Sequence, residues 1–147
     1  MYEDFISLAD LTRAEIEELL QLGVDLKRRH RSGETFRPLE GKTLGMLFEK
    51  PSLRTRVTFE TGIFQLGGYG VFMETRLGER ETVPDIARNL ERWVDAIVAR
   101  THSHESVLEL ASYASIPVIN ALTDALHPCQ VMADAMTVDR LLRFLSS

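Results

Sequence analysis

Phe48-Glu49-Lys50-Pro51-Ser52-Leu53-Arg54-Thr55-Arg56 is the stretch of this chain richest in groups able to do chemistry. It follows a short apolar run, Thr43 to Phe48, and Ser52 is a helix N-cap type placed directly before a helical pattern. The first N–H groups of a helix lack intrahelical acceptors, so those of Leu53, Arg54 and Thr55 point at whatever lies above the helix. Phosphate is the natural occupant, because backbone donors and the helix dipole both favour an anion there. Arg54 can add a two-pronged guanidinium contact and Thr55 a hydroxyl. Arginines stand where the dipole would favour acidic residues, which weighs for an anion site over a merely capped helix with exposed cations.

The second reactive stretch is His127-Pro128-Cys129-Gln130. Pro128 suits a first helical turn, and His127 lies three residues before Gln130, so both side chains can face one ligand. A histidine alone would read as a surface or hydrogen-bonded structural residue. Cys129 sits between that proline and a glutamine with no evident base, so it reads as a small packing residue in a site wall rather than a nucleophile. His102, His104, His127 and Cys129 are metal-ligand types, but His-x-His and His-x-Cys are spaced unlike structural zinc patterns, and no metal site is expected. His102 and His104 read as the solvated start of a helix.

The elements that must position these groups follow a simple order. Thr12 and Glu15 have capping-box spacing with Leu11 and Ile16 at the staple positions, and Ile16, Leu19, Leu20 and Leu26 repeat at helical spacing. The run Lys27 to Arg31 reads as a solvated helix end whose cations complement the dipole, with a polyanion site as the other reading. Ser32 to Lys42 is a connecting loop. Then come strand Thr43 to Phe48, helix Ser52 to Leu66 ended by Gly67-Gly68, and strand Tyr69 to Met73. Helix Thr82 to Val94 follows, with Ile86, Leu90, Trp93 and Val94 on one face, then strand Ala96 to Ala99 and a helix carrying Val107, Leu110, Ala111 and Ala114. Strand Pro117 to Ala121 precedes a helix from about Pro128, with Val131, Ala135, Val138, Leu142 and Leu145 in line. Such alternation predicts an α/β three-layer sandwich: a central four-stranded parallel sheet, helices on both faces, and an N-terminal helix before the βα units. Ligands of open α/β sheets bind beyond the carboxyl ends of the strands. That rule selects residues 49–55, 74–81, 100–104 and 122–130, where the unusual polar residues fall.

Composition narrows the function classes. The 147 residues suit one domain, and 44% hydrophobic with 27% charged residues is the balance of a globular protein. A net charge of −5 argues against nucleic acid as the main partner. The apolar runs fall far short of the roughly 20 residues of a membrane helix. Met1-Tyr2-Glu3-Asp4 lacks a basic, then apolar, signal segment, and the single cysteine fits a reducing compartment, so a cytoplasmic location is the default. No G-x-G-x-x-G follows the first strand, which disfavours a nucleotide-binding Rossmann domain.

Ser52-Leu53-Arg54-Thr55-Arg56 followed by Phe59-Glu60, Gln65-Leu66-Gly67-Gly68, and His127-Pro128-Cys129-Gln130 with Ala133-Asp134 resemble the aspartate/ornithine carbamoyltransferase family. Within it, the Phe48-Glu49-Lys50-Pro51 lead-in and the final Met132-Ala133-Asp134 look like the ornithine branch. The resemblance covers residues 1–147 and only the N-terminal, carbamoyl phosphate-binding half of a two-domain subunit. It implies that Ser52, Leu53, Arg54 and Thr55 hold the phosphate of carbamoyl phosphate. Leu53 departs from the threonine common there, a small change if its contact is the backbone N–H. It also implies that Arg100, His127 and Gln130 are the catalytic residues gripping the carbamoyl oxygen, where amine attack builds an oxyanion, with Pro128 and Cys129 beside them. Glu74 to Thr82 matches a loop that enters the neighbouring subunit's site. Arg76 stands where ornithine-specific members carry glutamine, and a mobile charged turn is the other reading. The implied reaction converts carbamoyl phosphate and L-ornithine to L-citrulline and phosphate, in arginine biosynthesis or catabolism. It needs no cofactor, uses L-ornithine only with a second domain, and belongs to a homotrimer in the full-length form. The alternatives are a non-catalytic phosphate-binding or assembly module, and a carbamoyltransferase using aspartate or another amine.

Overall fold

Five of the six residues of the strand Thr43–Phe48, β1, are buried, and a strand buried on both faces belongs at the centre of a covered parallel sheet. In the computed structural model, which describes residues 4–146, β1 pairs in parallel with β2 (Tyr69–Glu74) on one side and β3 (Ala96–Arg100) on the other. β3 in turn pairs with β4 (Val118–Leu122), giving the order β2-β1-β3-β4. Met1 to Glu3, part of the stretch read above as lacking a signal segment, and Ser147 lie outside the described residues.

Alternation along the strands sorts the side chains between two cores. On one face, Leu47, Ile97, Ala99 and Val118 meet Val83, Ala87 and Leu90 of α3 (Val83–Leu90) and Val107 and Leu110 of α4 (His104–Tyr113). On the other, Leu44, Met46, Phe48, Val98 and Ala121 meet Ile63 and Phe59 of α2 (Leu53–Gln65), while α5 (Pro128–Leu145) lies against β4. The three layers are those expected. The chain steps from β1 outward to β2 and returns on the opposite side of β1 as β3, so its winding direction reverses between β1 and β3. Such a reversal opens a crevice at the strand ends.

The N-terminal helix α1 (Arg13–Arg31) starts as read. Thr12 accepts from the Glu15 N–H, and the Glu15 carboxylate accepts from the Thr12 N–H at 2.6 Å. Two of the residues at its basic end are paired within the molecule. Arg28 and Arg29 both bind Asp25 at 2.6 Å, and Arg29 reaches Glu34 as well. α1 buries no residue fully, so its apolar repeat is only half covered. It meets α5, where a Cβ on Gly23 would stand 2.5 Å from the Met136 methyl.

Three features depart from the periodic reading. Residues before α1 add to the sheet edge: Phe5 bridges Ile119 in parallel, Asp4 accepts from the Val118 N–H, and Asn120 donates to the Ile6 carbonyl. This shields the edge of β4. α3 ends at Leu90, not Val94, because the chain must turn to bring Asp95 to the start of β1. There its carboxylate accepts from the Thr43 N–H and from Lys42 Nζ, each at 2.8 Å. Trp93 therefore leaves the core face and is 70% exposed, whereas Val94 stays buried. On α5, Val131, Val138, Leu142 and Leu145 are in line but exposed.

The Lys42 ammonium first, and the Thr43 N–H second, hold the Asp95 carboxyl below its ordinary pKa. A depressed carboxyl stabilises the fold above the unfolded carboxylate range and stops doing so as pH falls through the folded value. Asp95→Ala should cost about 1 kcal/mol at pH 7, the worth of one such hydrogen bond at a partly exposed site. Urea melts should show that difference shrinking as pH falls below the carboxylate range.

Candidate functional site

The crevice between β1 and β3 is bounded by the first turn of α2. Ser52 is extended and its hydroxyl accepts from the Thr55 N–H at 3.3 Å, so the cap forms where the sequence places it. That contact uses one first-turn donor and leaves the N–H groups of Leu53 and Arg54 facing outward from the helix start. The Leu53 side chain is 80% exposed, so that position offers its backbone rather than its side chain.

Arg100 arrives from the neighbouring strand. It lies beside Phe48 in the β1–β3 register, and the Glu49 N–H donates to its carbonyl at 2.9 Å. Its Nη1 reaches the Thr55 hydroxyl at 3.4 Å, a long contact that brings the guanidinium over the start of α2. Burial first, and the nearby Arg54 cation second, lower the Arg100 pKa. A guanidinium begins so high that it stays charged. Among the described residues, neither Arg54 nor Arg100 takes part in an ion pair. Two close cations without a carboxylate partner make a positive crevice.

His127 joins them from the end of the β4–α5 loop. Burial first and the Arg100 charge second push its pKa down, against a smaller opposing pull from Asp134. A neutral imidazole offers one N–H donor. His127 Nδ1 and Arg100 Nε are both buried without a hydrogen-bond partner. Unpaired buried polar atoms are uncommon because each forfeits its hydration, and here both fall in residues singled out from the sequence.

The other residues of the loops divide. Pro128 opens α5 and is buried. Cys129 donates its thiol to the Asn120 carbonyl at 3.4 Å, and burial pushes its pKa up to about 11, so it is a protonated wall residue at neutral pH. Gln130 is exposed and donates to Asp134 at 2.9 Å along the helix, an i,i+4 pairing that turns it away from sharing a ligand with His127. Arg76 is exposed and lines a separate recess of about 400 Å³ with Trp93, Arg80 and Asn89, so the fold does not bring it to Arg100.

Two sets of positioning contacts have no counterpart in the sequence reading. Glu49 Oε1 accepts from the Leu77 N–H at 2.7 Å, and its Oε2 accepts from the His102 N–H at 2.6 Å. The available signal was electrostatic, since a carboxylate just before an anion-favouring helix start is out of place. His104 is half-buried rather than solvated. Its N–H donates to Asp124 at 2.8 Å and its Nδ1 lies 3.1 Å from the Thr123 hydroxyl, which also accepts from Ala125 and Leu126. These contacts tie the start of α4 to the loop that delivers His127. His102 is exposed, as read.

Known proteins resemble this chain in sequence and in fold. The family model for the aspartate/ornithine carbamoyltransferase, carbamoyl-P binding domain matches residues 3–140. An ornithine carbamoyltransferase of Anoxybacillus flavithermus is 55% identical over 139 residues, covering 92% of this chain and 44% of that protein. The solved ornithine carbamoyltransferase from Pyrococcus furiosus has a TM-score of 0.91 at 46% identity, covering 92% of this chain and 44% of its own. A solved N-acetyl-L-ornithine transcarbamylase has a TM-score of 0.87 at 31% identity, covering 96% and 48%. The chain thus spans about half the length of the relatives it matches. By that match over residues 3–140, it belongs to the carbamoyl-P binding domain family of the aspartate/ornithine carbamoyltransferases.

Proposed function

We propose that this chain binds carbamoyl phosphate and forms the donor-substrate half of an ornithine carbamoyltransferase. The observation that carries the reading is the convergence of the α2 start with Arg54 and Arg100, two cations in no ion pair among the described residues, at the reversal between β1 and β3. The phosphate rests on Ser52, Leu53, Arg54 and Thr55, with Arg100 bridging from phosphate to carbamoyl oxygen. Neutral His127 donates an N–H to the same oxygen, and Gln130 joins by releasing Asp134. The ornithine amine attacks the carbamoyl carbon, and negative charge collects on the oxygen facing these donors. The tetrahedral species then collapses with cleavage of the carbon–oxygen bond to phosphate, and the amine loses its proton. Each preorganised donor contributes on the order of a few kcal/mol to such a step. No covalent nucleophile is required, in keeping with a Cys129 thiol held protonated.

The acceptor side lies beyond these residues, consistent with relatives about twice as long. The same domain fold in an N-acetyl-L-ornithine transcarbamylase leaves another amine as the alternative acceptor. A plain phosphate-binding or assembly module is the second reading, since a helix start beside Arg54 and Arg100 suits inorganic phosphate as well. Arg76 is exposed and stands away from Arg100, and its use on a neighbouring copy in a homotrimer is part of the same proposal. The cytoplasm is the proposed compartment, in arginine synthesis or breakdown; no described helix is long and apolar enough to cross a membrane.

Calorimetry tests the donor site. Carbamoyl phosphate should bind at least about tenfold more tightly than inorganic phosphate, the worth of one charge-assisted hydrogen bond, and Arg100→Ala should abolish the difference. Equal binding of both ligands by the unaltered chain would establish the plain phosphate module instead. Mixed with carbamoyl phosphate and ornithine, the isolated chain should form little or no citrulline, and vigorous formation would overturn the division into halves.

NMR titration tests the electrostatics. The His127 ring should titrate below the ordinary imidazole value of 6.5, and Arg100→Ala should move it back up. Because the folded value is depressed, the unfolded chain binds more protons at this residue. Its contribution to stability is therefore present above the ordinary imidazole value and lost as pH falls toward the folded one.

A further inference from the structure

We infer that Glu49 is a positioning residue for donor recognition: its carboxylate, bonded to the backbone of two other loops, sets the strand-end arginine that reads the carbamoyl group. The inference deepens the proposed function and rests on it.

Placing a carboxylate at the lip of an anion site opposes binding by direct repulsion, so the residue needs a compensating role. The geometry supplies one. The Glu49 N–H donates to the Arg100 carbonyl at 2.9 Å, while Glu49 Oε2 accepts from the His102 N–H at 2.6 Å. One residue thus holds the backbone at Arg100 and again two residues beyond it, which fixes the course of the chain as it leaves the strand at that side chain. The sheet is irregular at this point, because the β3–β4 register shifts between Ala99 and Arg100 before Arg100 pairs with Leu122, so the strand end gains from a brace on its β1 side. Glu49 Oε1 accepts from the Leu77 N–H at 2.7 Å, so the same carboxylate anchors the residue after Arg76, 28 positions along the chain. Both bonds have the short lengths of charge-assisted contacts, and both turn the negative charge toward backbone donors. The phosphate seat on α2, in contrast, is built by the local cap between Ser52 and Thr55 and does not depend on Glu49.

That separation makes the role testable. Glu49→Gln keeps the side-chain volume and one carbonyl oxygen but sets amide hydrogens against one of the two backbone donors. In the full 147-residue chain, hydrogen exchange by NMR should show the Leu77 or His102 amide opening at least about tenfold faster, while the Thr43 amide held by Asp95 is unchanged. Calorimetry should show the affinity for carbamoyl phosphate falling roughly tenfold, toward that for inorganic phosphate, with phosphate binding itself retained. If Glu49→Gln fails to fold, Glu49→Asp, which keeps the charge but is one methylene too short to span both amides, carries the same expectations. Unchanged exchange at both amides overturns the brace. A loosened brace with the preference for carbamoyl phosphate intact overturns its part in recognition, as does equal weakening of both ligands, the mark of a general structural defect. An unaltered chain that shows no preference between the ligands overturns the proposed function itself, and the recognition role of Glu49 falls with it.

Discussion

Parallel strands end together, and where two neighbours send their connections to opposite sides the chain leaves a crevice that no crossover fills. β1 creates this condition by standing between β2 and β3 with both faces buried. Its central place follows from composition, because Leu44, Met46 and Phe48 supply one core while Leu47 supplies the other. Gly45 keeps the second face shallow: a Cβ there would stand 3.1 Å from Val94. Once β1 is central, the start of α2 and the end of β3 have to meet above it. The register that sets Phe48 beside Arg100 then decides which side chain overlooks the α2 start.

This placement has an electrostatic cost. Arg100 is partly desolvated beside a second cation, and buried nitrogens on Arg100 and His127 lack partners. Water around either group would satisfy it and weaken its hold on a ligand. Held in place by the surrounding fold, the same groups need little reorganisation when an anion arrives, which is the basis of electrostatic preorganisation. The burden is tolerable because it is local. The sheet beneath is close to wholly apolar, and its main buried polar side chains, Thr101, Asn120 and Thr123, have hydrogen-bond partners.

Legibility in the sequence follows contact range. The Ser52 cap and the Thr12 box were readable because their partners lie three residues away, within one helical turn. The strands were readable because alternation and apolar runs report burial on a covered sheet. Glu49 was not, since its partners lie 28 and 53 residues on and are backbone N–H groups that every residue type shares. His104 escaped for the same reason, being held by Thr123 and Asp124 in a loop with no periodicity. Periodicity also overstated burial. It aligned Trp93 with a core face although the helix stops at Leu90, and it aligned Val138, Leu142 and Leu145 on a stripe that this chain leaves exposed. A hydrophobic repeat identifies a face suited to burial, and the tertiary arrangement decides whether anything covers it.

Within the proposed function, the two halves of the donor substrate are served by structures of different kinds. The phosphate is met by residues 52–55, consecutive in sequence and ordered by a single helix start, so that any fold which forms α2 forms the seat. The carbamoyl oxygen is met by Arg100 and His127, which share no element and are positioned by Glu49 on one side and by the Thr123, Asp124 and His104 contacts on the other. Affinity for an anion is therefore the sturdier property and discrimination of its carbonyl the more exacting one. A hydrogen bond to a carbonyl depends steeply on direction, whereas attraction to a phosphate charge does not. Long-range contacts accordingly concentrate where direction matters, at the strand end bearing Arg100 and the loop bearing His127, and are sparse around the α2 cap.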